Sequence, residues 1–194
     1  MVVAPPRILI VGLGNLPYPL TRHSIGHLAI DSIASRLGLH FVADRKLGGF
    51  AAHQDVLIGE SSVSLTLFKP KALMNVSGRP VANALRSLSI APSSMIVLQD
   101  SLYQKPQVIS PKLGGSANGH NGIRSIIAAL GGDADFHRLR LGIGRNPIDA
   151  AAYVLGPLSE EEISFWRPDG RGTELAWKAI ERIVNNVLKP AQVT

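Results

Sequence analysis

The sequence predicts an α/β fold: a single domain with a mixed, mostly parallel, twisted sheet flanked by helices, and a helical C-terminal segment. Three observations carry this. Short apolar runs of strand length alternate with longer stretches at helical spacing, the order that builds parallel sheets. The chain has 194 residues, enough for one full core and short of two usual domains. No internal repeat or low-complexity linker divides it. Residues 1–194 therefore read as one unit, with a core over about 7–158 and C-terminal helices over about 159–188.

The elements follow in order. Ile8-Leu9-Ile10-Val11 is a continuous apolar run, so residues 7–13 read as a buried strand. Gly12 and Gly14 then turn the chain. Residues 24–38 read as a helix, with Ile25, Leu28, Ala29, Ile33 and Leu37 near helical spacing and Gly38 as its stop. Residues 49–58 and 62–69 read as a hairpin around Gly59-Glu60-Ser61. Residues 77–89 read as a helix ended before Pro92, and Met95 to Gln99 as a short strand closed by Asp100. After a glycine-rich loop, residues 120–130 read as a helix stopped by Gly131-Gly132, and Phe136 to Ile143 as a strand. Ser159 with Glu162 is a capping-box signature that opens a helix. Pro168-Asp169-Gly170 breaks that helix, and residues 172–188 form the last one.

Composition excludes several classes. Hydrophobic residues make up 45% and charged residues 18%, a globular and not a disordered balance. No apolar run reaches the length of a membrane span, and Met1 to Arg7 has no leader pattern. The absence of cysteine excludes a disulfide framework, a thiol nucleophile and a Cys-based zinc site. It fits a reducing compartment. The net charge of +6 and a pI near 10.0 point to a polyanionic partner, nucleic acid first. A basic surface tuned for solubility is the other reading. The cations are scattered, among them Lys69, Lys71, Lys105, Lys112, Arg124, Arg138, Arg140 and Arg145, so no basic tail is expected.

Familiar chemistries are excluded one by one. Gly12 and Gly14 invite a dinucleotide fingerprint, but its third glycine would fall on Pro17. There is no Walker A pattern and no G-x-S-x-G elbow. His23 and His27 have the spacing of a zinc helix without a glutamate between them. His27 reads instead as a half-buried helix residue. His40, His53 and His137 have no motif around them. What remains are four segments that end in polar residues where a strand or helix should stop: Asn15–His23, Lys69–Gly78, Gln99–Asp100 and Lys112–Gly122. Loops beyond the carboxyl ends of strands are where α/β folds bind ligands, and a His there exchanges protons near neutral pH.

The text of these segments resembles the bacterial-type peptidyl-tRNA hydrolase family. The matching runs are Ile10-Val11-Gly12-Leu13-Gly14-Asn15, Tyr18-Pro19-Leu20-Thr21-Arg22-His23-Ser24-Ile25-Gly26 and Lys69-Pro70-Lys71-Ala72-Leu73-Met74-Asn75-Val76-Ser77-Gly78. Asp100, Lys112-Leu113-Gly114-Gly115 and Gly119-His120-Asn121-Gly122 follow, then Phe136 to Gly144 and Tyr153-Val154-Leu155-Gly156. They keep family order from residue 8 to about 156.

The resemblance implies a monomeric cytoplasmic carboxylic ester hydrolase that needs no metal or other cofactor. It acts on the ester between a peptide, or an N-blocked amino acid, and the 3′ end of tRNA, recycling tRNA from stalled translation. Its partner is peptidyl-tRNA, at the acceptor stem and 3′ end, and no membrane is involved. By the same resemblance His23 is the general base, Asp100 fixes its tautomer, and Asn75 sits near the water and the scissile carbonyl. Asn15 and Asn121 contact the peptide part, and Asn15 separates blocked from free aminoacyl-tRNA. Tyr18 and Leu73 line the site for the tRNA end, Met74 packs beside it, and Lys112 and Arg140 clamp phosphate. From the residues alone, Asn75 is also a candidate N-cap for the helix from Ser77, and solvated surface charge is the alternative reading of Lys112 and Arg140. Arg138 and Arg140 alternate, so both should share one face of their strand.

The departures from the family text are specific. The loop after Asn15 is two residues shorter than usual, a second acid is replaced by Tyr103, and the glycine loop reads Gly114-Gly115-Ser116-Ala117-Asn118-Gly119. Asn146-Pro147 and the Arg167–Arg171 stretch are also unusual. Such variation fits a mitochondrial or other organellar branch as well as a cytoplasmic one. Two alternatives stand beside the enzyme: an RNA-binding, splicing-type relative of the same fold without hydrolase activity, and a general esterase without an RNA partner. The complete set His23, Asp100 and Asn75 speaks against the first, and the basic charge against the second.

Overall fold

The computed structural model describes residues 4–145 and 149–189. Asn146-Pro147 lies outside them. Seven strands form one sheet in the order β2-β3-β4-β1-β5-β7-β6. They are β1 (Arg7–Gly12), β2 (Val42–Asp44), β3 (Gly49–Ile58), β4 (Ser61–Pro70), β5 (Met95–Ser101), β6 (Ile109–Leu113) and β7 (His137–Gly142). β4, β1, β5 and β7 are neighbours in parallel pairings, and antiparallel partners close both edges. Taken through the ladder, β2 points the same way as those four, while β3 and β6 oppose them, which is the mixed, mostly parallel sheet expected.

The helices are α1 (Ile25–Arg36), α2 (Gly78–Leu88), α3 (Asn121–Ala129), α4 (Ala150–Leu155), α5 (Glu160–Phe165) and α6 (Arg171–Leu188). β1 explains how they layer. Successive side chains of a strand face opposite sides, so Ile8 and Ile10 join α1 and α6 in one core. Leu9 and Val11 join α2 and α3 in the other. The run that reads as uniformly apolar is thus a central strand covered on both faces. Every residue from Ile8 to Gly12 is buried.

Three elements depart from the sequence expectation. β2 has only three residues and exists because β3 offers it an edge. β6 contains Pro111, and it pairs on one side only, where a missing N–H costs little. α4 is a six-residue helix capped by Asp149, whose side chain accepts from the Ala152 N–H. The expected capping box at Ser159 and Glu162 is present and opens α5.

The chain leaves β1 through α1 on one face and enters β5 through α2 on the other. Ligand crevices in open α/β sheets form beyond the strand ends at such a reversal. Gly26 brings α1 onto that spot. A Cβ there would lie 2.4 Å from the Leu98 carbonyl oxygen and 2.5 Å from that of Leu13. Only glycine lets the helix start rest directly on the ends of β1 and β5, and this contact sets His23 beside β5.

Candidate active site

A cavity of about 680 Å³ opens at the carboxyl ends of β4, β1, β5 and β7. Of the residues singled out in the sequence, Asn15, Tyr18, His23, Leu73, Met74, Asn75, Asp100, Asn121 and Arg140 all line it. They come from five separate chain segments. Lys112 does not reach it. It stands opposite Arg138 in the β6–β7 register, against the glycine-rich loop. Lys69, at the start of one of the polar segments, turns away and binds Asp31 and the face of Phe41.

His23 Nδ1 and Asp100 Oδ1 are 2.9 Å apart. Asp100 is 3% exposed. Burial alone would raise its carboxyl pKa. The charge and hydrogen bond of His120, then those of His23, outweigh burial and hold it well below the usual carboxylate range. An ionised Asp100 is acceptor only, so His23 carries its proton on Nδ1 and leaves Nε2 free to take another.

His120 is the residue that sequence reasoning missed. Its Nε2 lies 2.9 Å from the same Asp100 Oδ1, and its ring centroid is 5.3 Å from that of His23. His120 is also the N-cap of α3: its Nδ1 accepts from the Ile123 N–H. The cap fixes the tautomer, with Nδ1 accepting and Nε2 donating to Asp100. The signal available in the sequence was a His directly before a helix start in a glycine-rich loop. The three groups also have the composition of a two-His, one-carboxylate metal site. Metal-binding histidines donate through their second ring nitrogen, whereas that of His120 accepts. The polarity fits a hydrogen-bonded cluster and not a coordinated ion.

Asn15 is pinned despite its shortened loop. Its Oδ1 accepts from the Met74 N–H at 2.8 Å, and its own N–H donates to Ser24 Oγ at 2.9 Å. The Nδ2 group is thereby aimed away from the backbone. Asn75 lies in the short helical turn Met74–Val76, exposed on the cavity wall, and makes no cap. The capping reading of Asn75 is overturned: α2 starts at Gly78, and Ser77 is the residue before it.

Arg138 and Arg140 share one face of β7, as alternation predicts, and both line the cavity. They do different things. Arg138 is 1% exposed and gathers three carbonyls of the glycine-rich loop, those of Gly114, Gly115 and Ser116. Gly114, Gly115 and Gly119 all have positive φ, as does Asn118, so this loop uses backbone that ordinary residues resist. Arg140 binds the Ser110 side chain and stays partly exposed. Gln99 lines the same wall with a buried Oε1 that has no partner among the described residues.

His27 is fully buried, not half-buried, and neither ring nitrogen has a partner among the described residues. Burial, and then the nearby Lys69 charge, lower its pKa to about 3. It packs under the His23 loop, where a Cβ on Gly14 would strike its ring.

At its strand ends this α/β sheet presents a His–carboxylate pair in an amide-lined cavity, an arrangement suited to the proton transfers of a hydrolase. The comparisons with known proteins agree. The family model described as peptidyl-tRNA hydrolase matches residues 9–192. The chain is 39% identical over 193 residues to a peptidyl-tRNA hydrolase of Mycobacterium bovis (strain BCG / Pasteur 1173P2), covering 95% of each protein. It is 40% identical over 191 residues to that of Mycobacterium sp. (strain KMS), covering 95% of this chain and 94% of the relative. The crystal structure of peptidyl-tRNA hydrolase from Acinetobacter baumannii superposes with a TM-score of 0.76 at 31% identity, covering 93% of each chain. The chain belongs to the peptidyl-tRNA hydrolase family.

Proposed function

We propose that this protein hydrolyses the ester between a peptide, or an N-blocked amino acid, and the 3′ end of tRNA. The observation that carries the reading is the His23 Nδ1 contact with Asp100 Oδ1, which frees Nε2 inside the cavity beside Asn15 and Asn75. His23 Nε2 takes a proton from water as the oxygen attacks the ester carbonyl carbon. The amide of Asn75 can accept from that water and donate to the developing oxyanion. When the carbon–oxygen bond to ribose breaks, the imidazolium gives its proton to the departing ribose oxygen, which leaves as a hydroxyl. The products are a free carboxylic acid and deacylated tRNA. Asp100 keeps the tautomer and stabilises the imidazolium, the part a buried carboxylate plays beside a catalytic histidine.

Asn15 supplies the selection. With Oδ1 engaged by Met74, only its Nδ2 donor is left for substrate. A blocked amino group brings a carbonyl oxygen that accepts from this donor. A free ammonium brings only donors and a charge. Asn121 completes the peptide side, while Tyr18 and Leu73 line the site for the tRNA end and the buried Met74 packs beside it. The protein acts as a monomer in the cytoplasm, where translation runs.

The deciding assay is hydrolysis of N-acetyl-aminoacyl-tRNA with free aminoacyl-tRNA as control. Cleavage of the first and sparing of the second is expected; equal rates on both would sink the selection by Asn15, and no cleavage would sink the function. Lys112 and Arg140 should act on phosphate and not on the ester. Lys112→Ala with Arg140→Ala should raise KM for the full tRNA substrate and flatten its salt dependence. Cleavage of a blocked amino acid on a minimal nucleotide should stay unchanged. An equal loss on both substrates would place these residues at the reacting centre.

A further inference from the structure

The chain has five Phe, two Trp and three Tyr, and all of them lie among the described residues. Only two of these rings are exposed, Tyr18 at 59% and Tyr103 at 66%, and both line the cavity. Aromatic rings are otherwise buried or half-buried throughout the molecule. Placing both exposed rings in one cavity is a binding feature, because each forgoes a large apolar burial in the free protein. Tyr18 belongs to the loop after β1. Tyr103 stands on the other side, in the turn that follows β5, and the reaction just described makes no use of it.

The turn under Tyr103 is tied down by backbone hydrogen bonds. Gly144 N–H donates to Gln104 O at 3.0 Å, Gln107 N–H to Gly142 O at 3.2 Å, and Gly142 N–H to Val108 O at 2.8 Å. These bonds tie residues 104–108 to the end of β7 and set Tyr103 next to the segment that carries Arg145. Arg138, Arg140 and Arg145 are the cations of the cavity, and all come from β7 or the residues just after it. Among the described residues the only carboxylate lining the cavity is Asp100, whose Oδ1 is engaged by two histidines. One wall therefore combines an exposed aromatic face with the positive charge of Arg140 and Arg145, while Arg138 is taken up by the glycine-rich loop. Single-stranded nucleic acid is bound by that combination, with bases stacked on rings and phosphates on cations. A peptide would seek the amides, and Asn15, Asn75 and Asn121 come from other segments.

We propose that Tyr103 is a stacking platform for a nucleobase of the unpaired 3′ strand of the tRNA. This rests on the function proposed above. The ring sets the path of the strand past Arg140 and Arg145 and so delivers the terminal ribose to His23.

The experiment is a cycle between protein and substrate. Wild type and Tyr103→Ala are assayed with N-acetyl-aminoacyl-tRNA, and with the same tRNA made abasic at each unpaired 3′ nucleotide in turn. Tyr103→Ala should raise KM between about 5- and 150-fold at nearly constant kcat. One abasic position should cost wild type the same factor and cost Tyr103→Ala nothing further. Tyr103→Phe should restore the wild-type KM. An unchanged KM in Tyr103→Ala overturns the proposal. So does a loss that adds in full to every abasic loss, since the ring would then touch the peptide or only the fold. Binding of a short RNA of the 3′ sequence, with 2-aminopurine at each position in turn, tests the ring without catalysis. Quenching by wild type and Tyr103→Phe, but not by Tyr103→Ala, is expected, and equal quenching by all three overturns the proposal. A wild type that quenches this probe yet leaves N-acetyl-aminoacyl-tRNA uncut would refute the function and not the platform.

Discussion

The loop after β1 and the glycine-rich loop before α3 each deliver a histidine to the same oxygen of Asp100, and they are held in different ways. The first is anchored by burial. Asn15 ties it to Met74, Gly26 seats it on the sheet, and His27 fills the space beneath. On its outer side Arg22 makes a two-pronged bond to Glu162, at 3.1 and 2.9 Å, and lies 4.6 Å over the Tyr153 ring. The second loop has four residues at positive φ and few side chains to bury. It is held by the guanidinium of Arg138 from below and by His120 at its end. Ordinary residues suffice where a loop can be packed into a core. A loop made mostly of exposed backbone needs a charged side chain to collect its carbonyls.

The contrast breaks first at the histidines. His23→Ala should cut hydrolysis by on the order of 10²–10⁴-fold with the fold intact, the usual cost of losing a general base. Rates near wild type in a folded variant would remove His23 from the mechanism. Asp100→Asn strikes the point where both loops meet and should slow turnover by less. The amide still accepts a hydrogen bond but does not stabilise an imidazolium, so the pH–rate profile should change as well. A variant with the wild-type rate and profile would mean that Asp100 is not the partner of His23.

Arg138→Met addresses the second loop alone. Amides of residues 114–119 should exchange with solvent roughly ten- to a hundred-fold faster, from losing charge-assisted bonds of about 1.5–3 kcal/mol each. The loop after β1 should keep its protection. Equal loosening of both loops, or of neither, would end the distinction drawn between them.

The smallest effect concerns His27 under the first loop. Its ordinary pKa of 6.5 is lowered to about 3 in the fold. Below pH 6.5 the unfolded chain takes up a proton that the folded chain refuses until about pH 3. Stability therefore falls as pH drops through that window, by at most roughly 1.4 kcal/mol per pH unit. Asp100 acts in the same direction only at lower pH, because its own ordinary value is 3.8 and the fold depresses it. Denaturant melts of wild type and His27→Leu at pH 7 and pH 5 separate the two. The variant should lose much of the difference between the two pH values, and an unchanged difference would mean that His27 is not its source.

The long elements were legible because their signals are local. The apolar run at Ile8–Val11, the hairpin at 49–58 and 62–69, and the capping box at Ser159 follow from periodicity and turn chemistry within a few residues. β2, β6 and α4 were not legible, since three residues, a proline-bearing edge and a six-residue helix owe their form to neighbours far away in sequence. The same division runs through the site. Sequence alone determined the alternating fold, the polar strand ends, and the residue types at His23, Asp100, Asn15 and Asn75. Only the tertiary structure decided that His120 shares the Asp100 oxygen, that Arg138 serves the loop while Arg140 stays partly exposed, and that Asn75 caps nothing. It also buried His27 without a partner and set Tyr103 beside the cationic wall. Periodicity is written into neighbouring residues. Which donor meets which acceptor is fixed only when strands distant in the chain come into register and bury what lies between them.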